Sequence, residues 1–334
     1  MPSIRETLKR VGLNTFFFLL IGVIFLASFF PEWGTSDGAL PWKTITGAGI
    51  SIIFFFYGVK LSPQMLKAGL SNWKLHAVVQ STTFLIFPLV ILLLYWIWGN
   101  EGSYIWLGVF YLAALPSTVS SSVVMVSIAG GNLPAAIFNA SISSIVGIFI
   151  TPLWMDLLLP ETAVAFELMD TFIKLSLQVI LPVVLGLLLH SYLIGVVSKY
   201  ATVLKNFDQL IILLIVFTAF AESFAEKMFE GQTASELLLL GFLMLSFFLF
   251  MLGLMHVISK AFGFSDPDRI TVLFCGSKKS LVQGAVMGRV MFPDPVVFGV
   301  ILLPLMMYHA LQLIVGSAIA QRMGERKKQG AGKI

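Results

Sequence analysis

Two adjacent lysines interrupt an apolar run near the C-terminal end of the chain, in Phe274-Cys275-Gly276-Ser277-Lys278-Lys279-Ser280. Placing an ammonium at the centre of a membrane helix costs roughly 2.5–3.5 kcal/mol on insertion scales. A chain keeps such groups where they meet a cavity, an ion path or an opposing dipole. The first half has a comparable interruption, Leu115-Pro116-Ser117-Thr118-Val119-Ser120-Ser121-Ser122. Pro116 lacks an amide hydrogen, so it frees carbonyls about one turn upstream. The hydroxyls of Ser117, Thr118, Ser120, Ser121 and Ser122 can satisfy freed backbone groups or coordinate a cation. Irregular backbone at membrane depth is tolerated only where it is buried in protein or lines a cavity. Two broken helices in corresponding places of two halves are the mark of a secondary transporter. If they cross, their half-helix ends put partial charges of about half a unit at mid-membrane, and an ammonium suits the C-terminal ends. Successive helical residues point about 100° apart, so one lysine can face the crossing and the other a cavity.

The elements that hold these residues follow from hydropathy. The chain has 334 residues, 58% of them hydrophobic and only 11% charged, with a mean hydropathy of +0.94. Soluble domains carry about 25% charged residues, which makes this an all-α polytopic membrane protein. At about 20 apolar residues per span, ten candidates emerge: 13–30, 43–60, 74–98, 104–130, 133–155, 170–193, 208–228, 235–260, 268–290 and 295–320. The fourth and ninth carry the interruptions. The first follows Arg5, Lys9 and Arg10 as a signal peptide would, but its length and the absence of a small-residue cleavage site make it a retained helix. The stretch 61–73 reads as a brief interfacial segment.

With both termini cytoplasmic, the inner side collects most Lys and Arg, among them Lys60, Lys260, Arg269 and Arg322. Lys43, Lys227 and Arg289 fall outside, and Lys174, Lys278 and Lys279 lie within helices. That bias sets the orientation and suits an integral protein of a bacterial inner membrane. The net charge of +4 lies in loops beside apolar runs, which argues against a nucleic-acid partner. The basic tail from Arg322 to Lys333 is placed to touch anionic headgroups. The loop at 156–169 divides the chain into 1–156 and 157–334, five helices each. An odd number per half makes the second half insert upside down, giving two inverted repeats.

Other polar residues in apolar runs are Gln80, Asn139 and Glu222. Gln80 and Asn139 can bond between helices or line a site. Glu222 can pair with a lysine, bind a cationic group, carry a proton, or sit solvated at the outer rim. Asn132 caps the helix that follows Gly130-Gly131. No His-Glu-x-x-His or Gly-x-Gly-Asp motif occurs, and no phosphate-cradling loop or ATPase domain, so an enzyme and a primary pump are unsupported. The single cysteine, Cys275, rules out an internal disulfide. No metal centre or organic cofactor is implied beyond Na+ as a coupling ion.

These stretches resemble the bile acid:sodium symporter family, specifically its SBF-like branch. The resemblance rests on Ala114 to Ser122, on Gly130-Gly131-Asn132 with Ala135 to Asn139, on Gly147 with Thr151-Pro152-Leu153, and on Phe274-Cys275 through Leu281. It implies a panel domain of helices 1, 2, 6 and 7 and a core domain of helices 3–5 and 8–10, with a small organic anion carried between them by alternating access. The sodium sites of that family carry over only in part. Ser122 matches a sodium-binding serine, but Val123 replaces its asparagine partner and Ala136 and Ala140 replace hydroxyls. The family's glutamate falls near Phe274 or Cys275, and lysine stands where a glutamine would be; Gln80 matches a second-site glutamine. The implied ligand site is therefore Ser117, Thr118, Ser120, Ser121, Ser122, Asn139, Gln80, Glu222, Ser277, Lys278, Lys279 and Ser280, with sodium near Ser122 and Gln80. At least one sodium site is absent, with a lysine in place of the ion. Coupling to sodium or protons, a sodium-independent uniporter or exchanger, and a channel-like regulator of ion flux all stay open, as do a monomer and a homodimer.

Overall fold

The computed structural model describes residues 15–35, 40–60, 72–98, 103–158, 173, 176–227 and 233–331, with the side chains of Phe17, Ser120, Leu158, Ser176 and residues from 327 onward outside the description. The interfacial segment proposed at 61–73 lies mostly outside the described residues, as do Lys174, most of the 156–169 loop and the last residues of the tail.

The described chain is all helix, without strand. Its elements are α1 (Thr15–Phe29), α2 (Trp42–Lys60), α3 (Trp73–Trp98), α4 (Tyr104–Ala114), α5 (Ser120–Ala129), α6 (Leu133–Leu158), α7 (Leu181–Leu188), α8 (His190–Lys199), α9 (Ala201–Ala225), α10 (Ala234–Ala261), α11 (Asp266–Gly276), α12 (Leu281–Met291) and α13 (Pro295–Ala331). By length and composition, six of them (α2, α3, α6, α9, α10 and α13) can each cross a bilayer. A seventh span exists if the pair Leu177–Leu188 and His190–Lys199, bent by 97°, counts as one. Among the described residues there are thus six to seven spans of full length where hydropathy suggests ten.

The difference has local causes. The fourth and ninth apolar runs are each split into two short helices at Pro116 and after Gly276, so neither half is long enough by itself. The sixth run, expected over 170–193, ends at Leu188 and turns sharply into α8. At that corner the His190 Nδ1 lies 2.7 Å from the Val59 carbonyl, tying α8 to α2.

Large apolar side chains point outward around the whole bundle; Phe25, Trp96, Tyr192, Leu238 and Phe242 are all exposed. Hydroxyls, two lysines and several amides lie inside. This inversion of the usual soluble pattern is what lipid as solvent selects.

Helix α2 packs on α7 and α9, and α1 on α9, while α13 packs against α4, α5 and α10 and α11 packs against α3, α5, α6 and α10. Where α2 meets α7, a Cβ at Gly58 would strike the Val183 carbonyl and one at Gly186 the Phe55 carbonyl, so the two backbones touch. Helix α9 also reaches α12 and α13, with the Ser223 hydroxyl donating to the Val296 carbonyl at 2.6 Å. Helix α6 starts on Asn132, whose side-chain oxygen accepts from the Ala135 amide at 3.1 Å after Gly130 turns the chain with φ of 72°.

Candidate functional site

The two breaks meet in the interior, and the structure can be read as an account of where each freed carbonyl goes. Residue 116 is proline, so the Leu112 carbonyl has no donor four residues on and accepts instead from the Leu115 amide at 3.3 Å. The Ala113 and Leu115 carbonyls accept from Lys279 Nζ at 2.6 and 2.7 Å. Thr151 Oγ1 donates to the Ala114 carbonyl at 2.8 Å, and the Ser280 amide donates to the Pro116 carbonyl at 3.0 Å. The freed Ser117 amide donates to Ser143 Oγ at 2.9 Å. Gly147 makes room for the kink, because a Cβ there would sit 2.8 Å from the Pro116 ring.

The end of α11 is satisfied in the opposite direction. Ser117 Oγ donates to the Cys275 carbonyl at 2.6 Å and Ser122 Oγ to the Phe274 carbonyl at 3.2 Å. Ser277 Oγ takes the Leu273 carbonyl at 2.6 Å, and Tyr308 donates to the Ser277 carbonyl at 2.8 Å. Residues after the first break therefore serve the second helix end, and residues after the second serve the first. A buried carbonyl left without a donor costs about 1–3 kcal/mol, so this exchange is the condition for having two helix ends inside the bundle.

Around Thr118 the hydroxyls form a chain with one allowed direction. Ser121 Oγ donates to Thr118 Oγ1 at 2.9 Å, and the Ser122 amide donates to the same oxygen at 3.2 Å. Ser122 spends its only proton on Phe274, so the 2.6 Å contact between Thr118 and Ser122 must have Thr118 as donor. Ser120 opens α5, but its side chain lies outside the description.

Lys279 and Lys278 are both fully buried. The Lys279 ammonium has three protons and three carbonyls: Ala113, Leu115 and, from α3, Thr83 at 2.7 Å. The Thr83 carbonyl is available for a backbone reason. Residues Thr82–Ile86 form a π turn in which the Phe87 amide donates to Thr82, and the next residue, Pro88, has no N–H. Neither an α nor a π donor then reaches Thr83. Pro88 likewise frees the Phe84 carbonyl, which takes the Trp154 indole N–H at 2.6 Å. The Phe87 ring lies 4.1 Å from Lys279 Nζ and presents its negative face. Gln312 clamps the Lys279 backbone, accepting from its amide at 2.9 Å and donating to its carbonyl at 2.7 Å. Because the same Gln312 nitrogen lies 2.9 Å from His309 Nδ1, that ring nitrogen is the acceptor and the proton sits on Nε2.

Lys278 has much less. Its ammonium reaches the Ser121 carbonyl only at 3.4 Å, touches the Met125 thioether, and lies 5.6 Å from the Phe274 ring. Gly316 on α13 leaves space for that thioether, since a Cβ there would sit 3.0 Å from the Met125 sulfur. Neither lysine forms an ion pair among the described residues.

The remaining expected site residues fall into two other places. Gln80 Nε2 donates to the Asn139 side-chain oxygen at 3.1 Å and to its carbonyl at 3.2 Å, while Gln80 Oε1 is buried without a hydrogen-bond partner. Glu222, 9% exposed on α9, acts electrostatically on Arg289 of α12 rather than on either lysine. Sequence reasoning missed Thr83, Ser143, Tyr308 and Gln312, and took Thr151 only as part of a family stretch, without a role. The one available signal was polar residues recurring on otherwise apolar helices, and Pro88 just after Thr83.

Comparisons with known proteins agree with this picture. The profile of the SBF-like CPA transporter family matches residues 14–325. The chain is 37% identical over 322 residues to an uncharacterised protein of Pseudomonas aeruginosa, covering 96% of both. It is 36% identical to the Escherichia coli protein named "Putative symporter YfeH", covering 95% of both, and 31% identical to sodium/bile acid cotransporter 7 of Danio rerio, covering 93% and 94%. The chain belongs to the SBF-like CPA transporter family and is an integral membrane transporter of a small molecule, not an enzyme.

Proposed function

We propose that this transporter is a secondary carrier of a small organic anion, working by alternating access across the crossing of α4–α5 with α11–α12, with Lys279 standing where its relatives would hold a cation and Lys278 meeting the anion. The observation that carries this reading is the contrast in ligation. Three carbonyls at 2.6–2.7 Å surround the Lys279 ammonium, the kind of oxygen cage a desolvated monovalent cation needs. Lys278 is equally buried but keeps protons without a strong acceptor. A buried charge of that kind is costly unless something completes it, and a carboxylate or sulfate does so.

The finer architecture belongs to the same proposal: ten spans in two inverted repeats of five, α1, α2, α7 and α9 as the panel, and the helices of the crossing as the core. The reciprocal satisfaction of the two breaks supports a pseudo-two-fold relation between the halves. The positive-inside bias supports cytoplasmic termini. For coupling, Gln80 offers a spare buried acceptor beside Asn139, which favours one remaining sodium near Gln80 over a site at Ser122, whose oxygen already accepts from Thr118 at 2.6 Å.

The test is the thermal stability of the purified protein in detergent as sodium replaces potassium at constant ionic strength, with and without a set of amphipathic carboxylates and sulfates. A ligand that binds only the native state stabilises it by RT ln(1 + [L]/Kd). A sodium-specific rise lost in Gln80→Ala supports sodium symport. A rise with anions alone, lost in Lys278→Met, supports a sodium-independent carrier. No response to either overturns the reading.

A further inference from the structure

Away from the crossing, a cavity of about 240 Å³ opens where α10, α11 and α13 meet. Arg269 and Arg326 line it together with His256 and Asp266, over an apolar floor that includes Leu273 and Met323. The charges there are not balanced. Asp266 is engaged by Arg269 Nη1 at 3.1 Å. Asp268, the other carboxylate of the first turn of α11, is taken by Asn132 Nδ2 at 2.8 Å and Ser265 Oγ at 2.9 Å. Arg326 forms no ion pair among the described residues, and Lys260 and Arg269 both act electrostatically on the exposed His256. Most telling, Arg269 Nε is buried and has no hydrogen-bond partner. An unmatched buried guanidinium N–H calls for an acceptor, and an arginine fork favours a bidentate oxyanion such as phosphate.

We infer that this cavity binds a phosphate-bearing ligand, with the guanidinium groups of Arg269 and Arg326 holding the phosphate oxygens and the apolar floor receiving the carbon skeleton attached to it. Its volume falls below the ~300–1,000 Å³ of drug-sized pockets, which suits a headgroup-sized anion. The position, beside Lys260 at the end of α10 and next to the basic last turns of α13, is the depth at which the headgroups of a bilayer lie. The same chemistry would accept an anionic phospholipid headgroup or a free phosphate.

The experiment uses the full-length protein, purified in detergent and stripped of lipid, with melting temperature as the readout. Inorganic phosphate forms one arm. Short-chain phosphatidylglycerol forms the other, against phosphatidylcholine of the same chain length. Stabilisation by phosphatidylglycerol, but not by phosphatidylcholine or phosphate, identifies the lipid source; stabilisation by phosphate identifies the soluble one. In either case Arg326→Gln, a change at an exposed residue, weakens the apparent affinity on the order of tenfold, and Arg269→Gln weakens it further. If neither ligand stabilises the wild type, or if both variants respond as it does, the inference is wrong. The melting response to sodium and to organic anions, which probes the crossing, is expected to be unchanged in Arg326→Gln.

Discussion

Lys278 and Lys279 share a peptide bond and complete burial, yet they meet opposite surroundings. Lys279 has a carbonyl for each proton, an aromatic face beneath it and a backbone clamped by Gln312. Lys278 has one carbonyl at 3.4 Å and a thioether. The negative end of α4 accounts for the difference: it lies against one ammonium and not the other. A pair of adjacent charges in a membrane protein can therefore be one structural group and one working group, and burial alone does not distinguish them.

The comparison breaks most easily at Lys279. Lys279→Met removes the donor to Ala113, Leu115 and Thr83 together while keeping most of the side-chain volume. Three buried carbonyls then lose their donor, at about 1–3 kcal/mol each, so this variant should show the largest drop in melting temperature and no transport. If it melts like the wild type, the oxygen cage is not what holds the crossing together.

The opposite helix end should be more forgiving. Ser117→Ala leaves the Cys275 carbonyl without its 2.6 Å donor, at about 1–3 kcal/mol. Ser122→Ala should cost about 1 kcal/mol, because its contact with Phe274 is longer, at 3.2 Å, and Thr118 can turn its proton elsewhere. The order Lys279→Met, Ser117→Ala, Ser122→Ala in falling effect, measured by thermal unfolding in one detergent, sharpens the contrast between an end capped by an ammonium and one capped by hydroxyls. An inverted order would remove the distinction.

How much of this was written in the local sequence differs from one residue to the next. Pro116 and the Gly276-to-Ser280 stretch announce the breaks, and the structure divides the runs 104–130 and 268–290 there. Helix geometry predicts that the lysines point in different directions, but both lie in the non-helical link between α11 and α12, so the backbone of that link, not a helical step, sets them apart. Which of them meets the crossing does not follow from the local sequence, because the answer depends on Thr83, nearly two hundred residues away, and on a π turn that exists only in the folded α3. Gln312 is equally silent in sequence: a lone amide on an apolar helix has many uses, and only packing brings it to Lys279. The bend at Leu189 has only the polar pair His190-Ser191 to mark it, and no proline or glycine stands at the corner itself. Periodicity and composition report on a segment's solvent; they do not report which distant carbonyl has lost its donor.

The smallest stability effect carries the most functional weight. Lys278→Met replaces a fully buried ammonium, poorly ligated, with an apolar chain of nearly equal length. Exchanging a buried charge for an apolar side chain of similar volume is often neutral or stabilising, and here the 3.4 Å contact to Ser121, the Met125 contact and the distant Phe274 ring are all that is lost. The melting temperature should therefore stay within about 1 kcal/mol of wild type in equivalent free energy, or rise. Stabilisation by organic anions should vanish at the same time, and uptake into proteoliposomes with it. A protein spends no desolvation on an ill-satisfied ammonium for packing alone, since methionine would pack as well. If Lys278→Met both folds normally and still responds to anions, the working group lies elsewhere, and Arg289 beside Glu222 becomes the next cation to test.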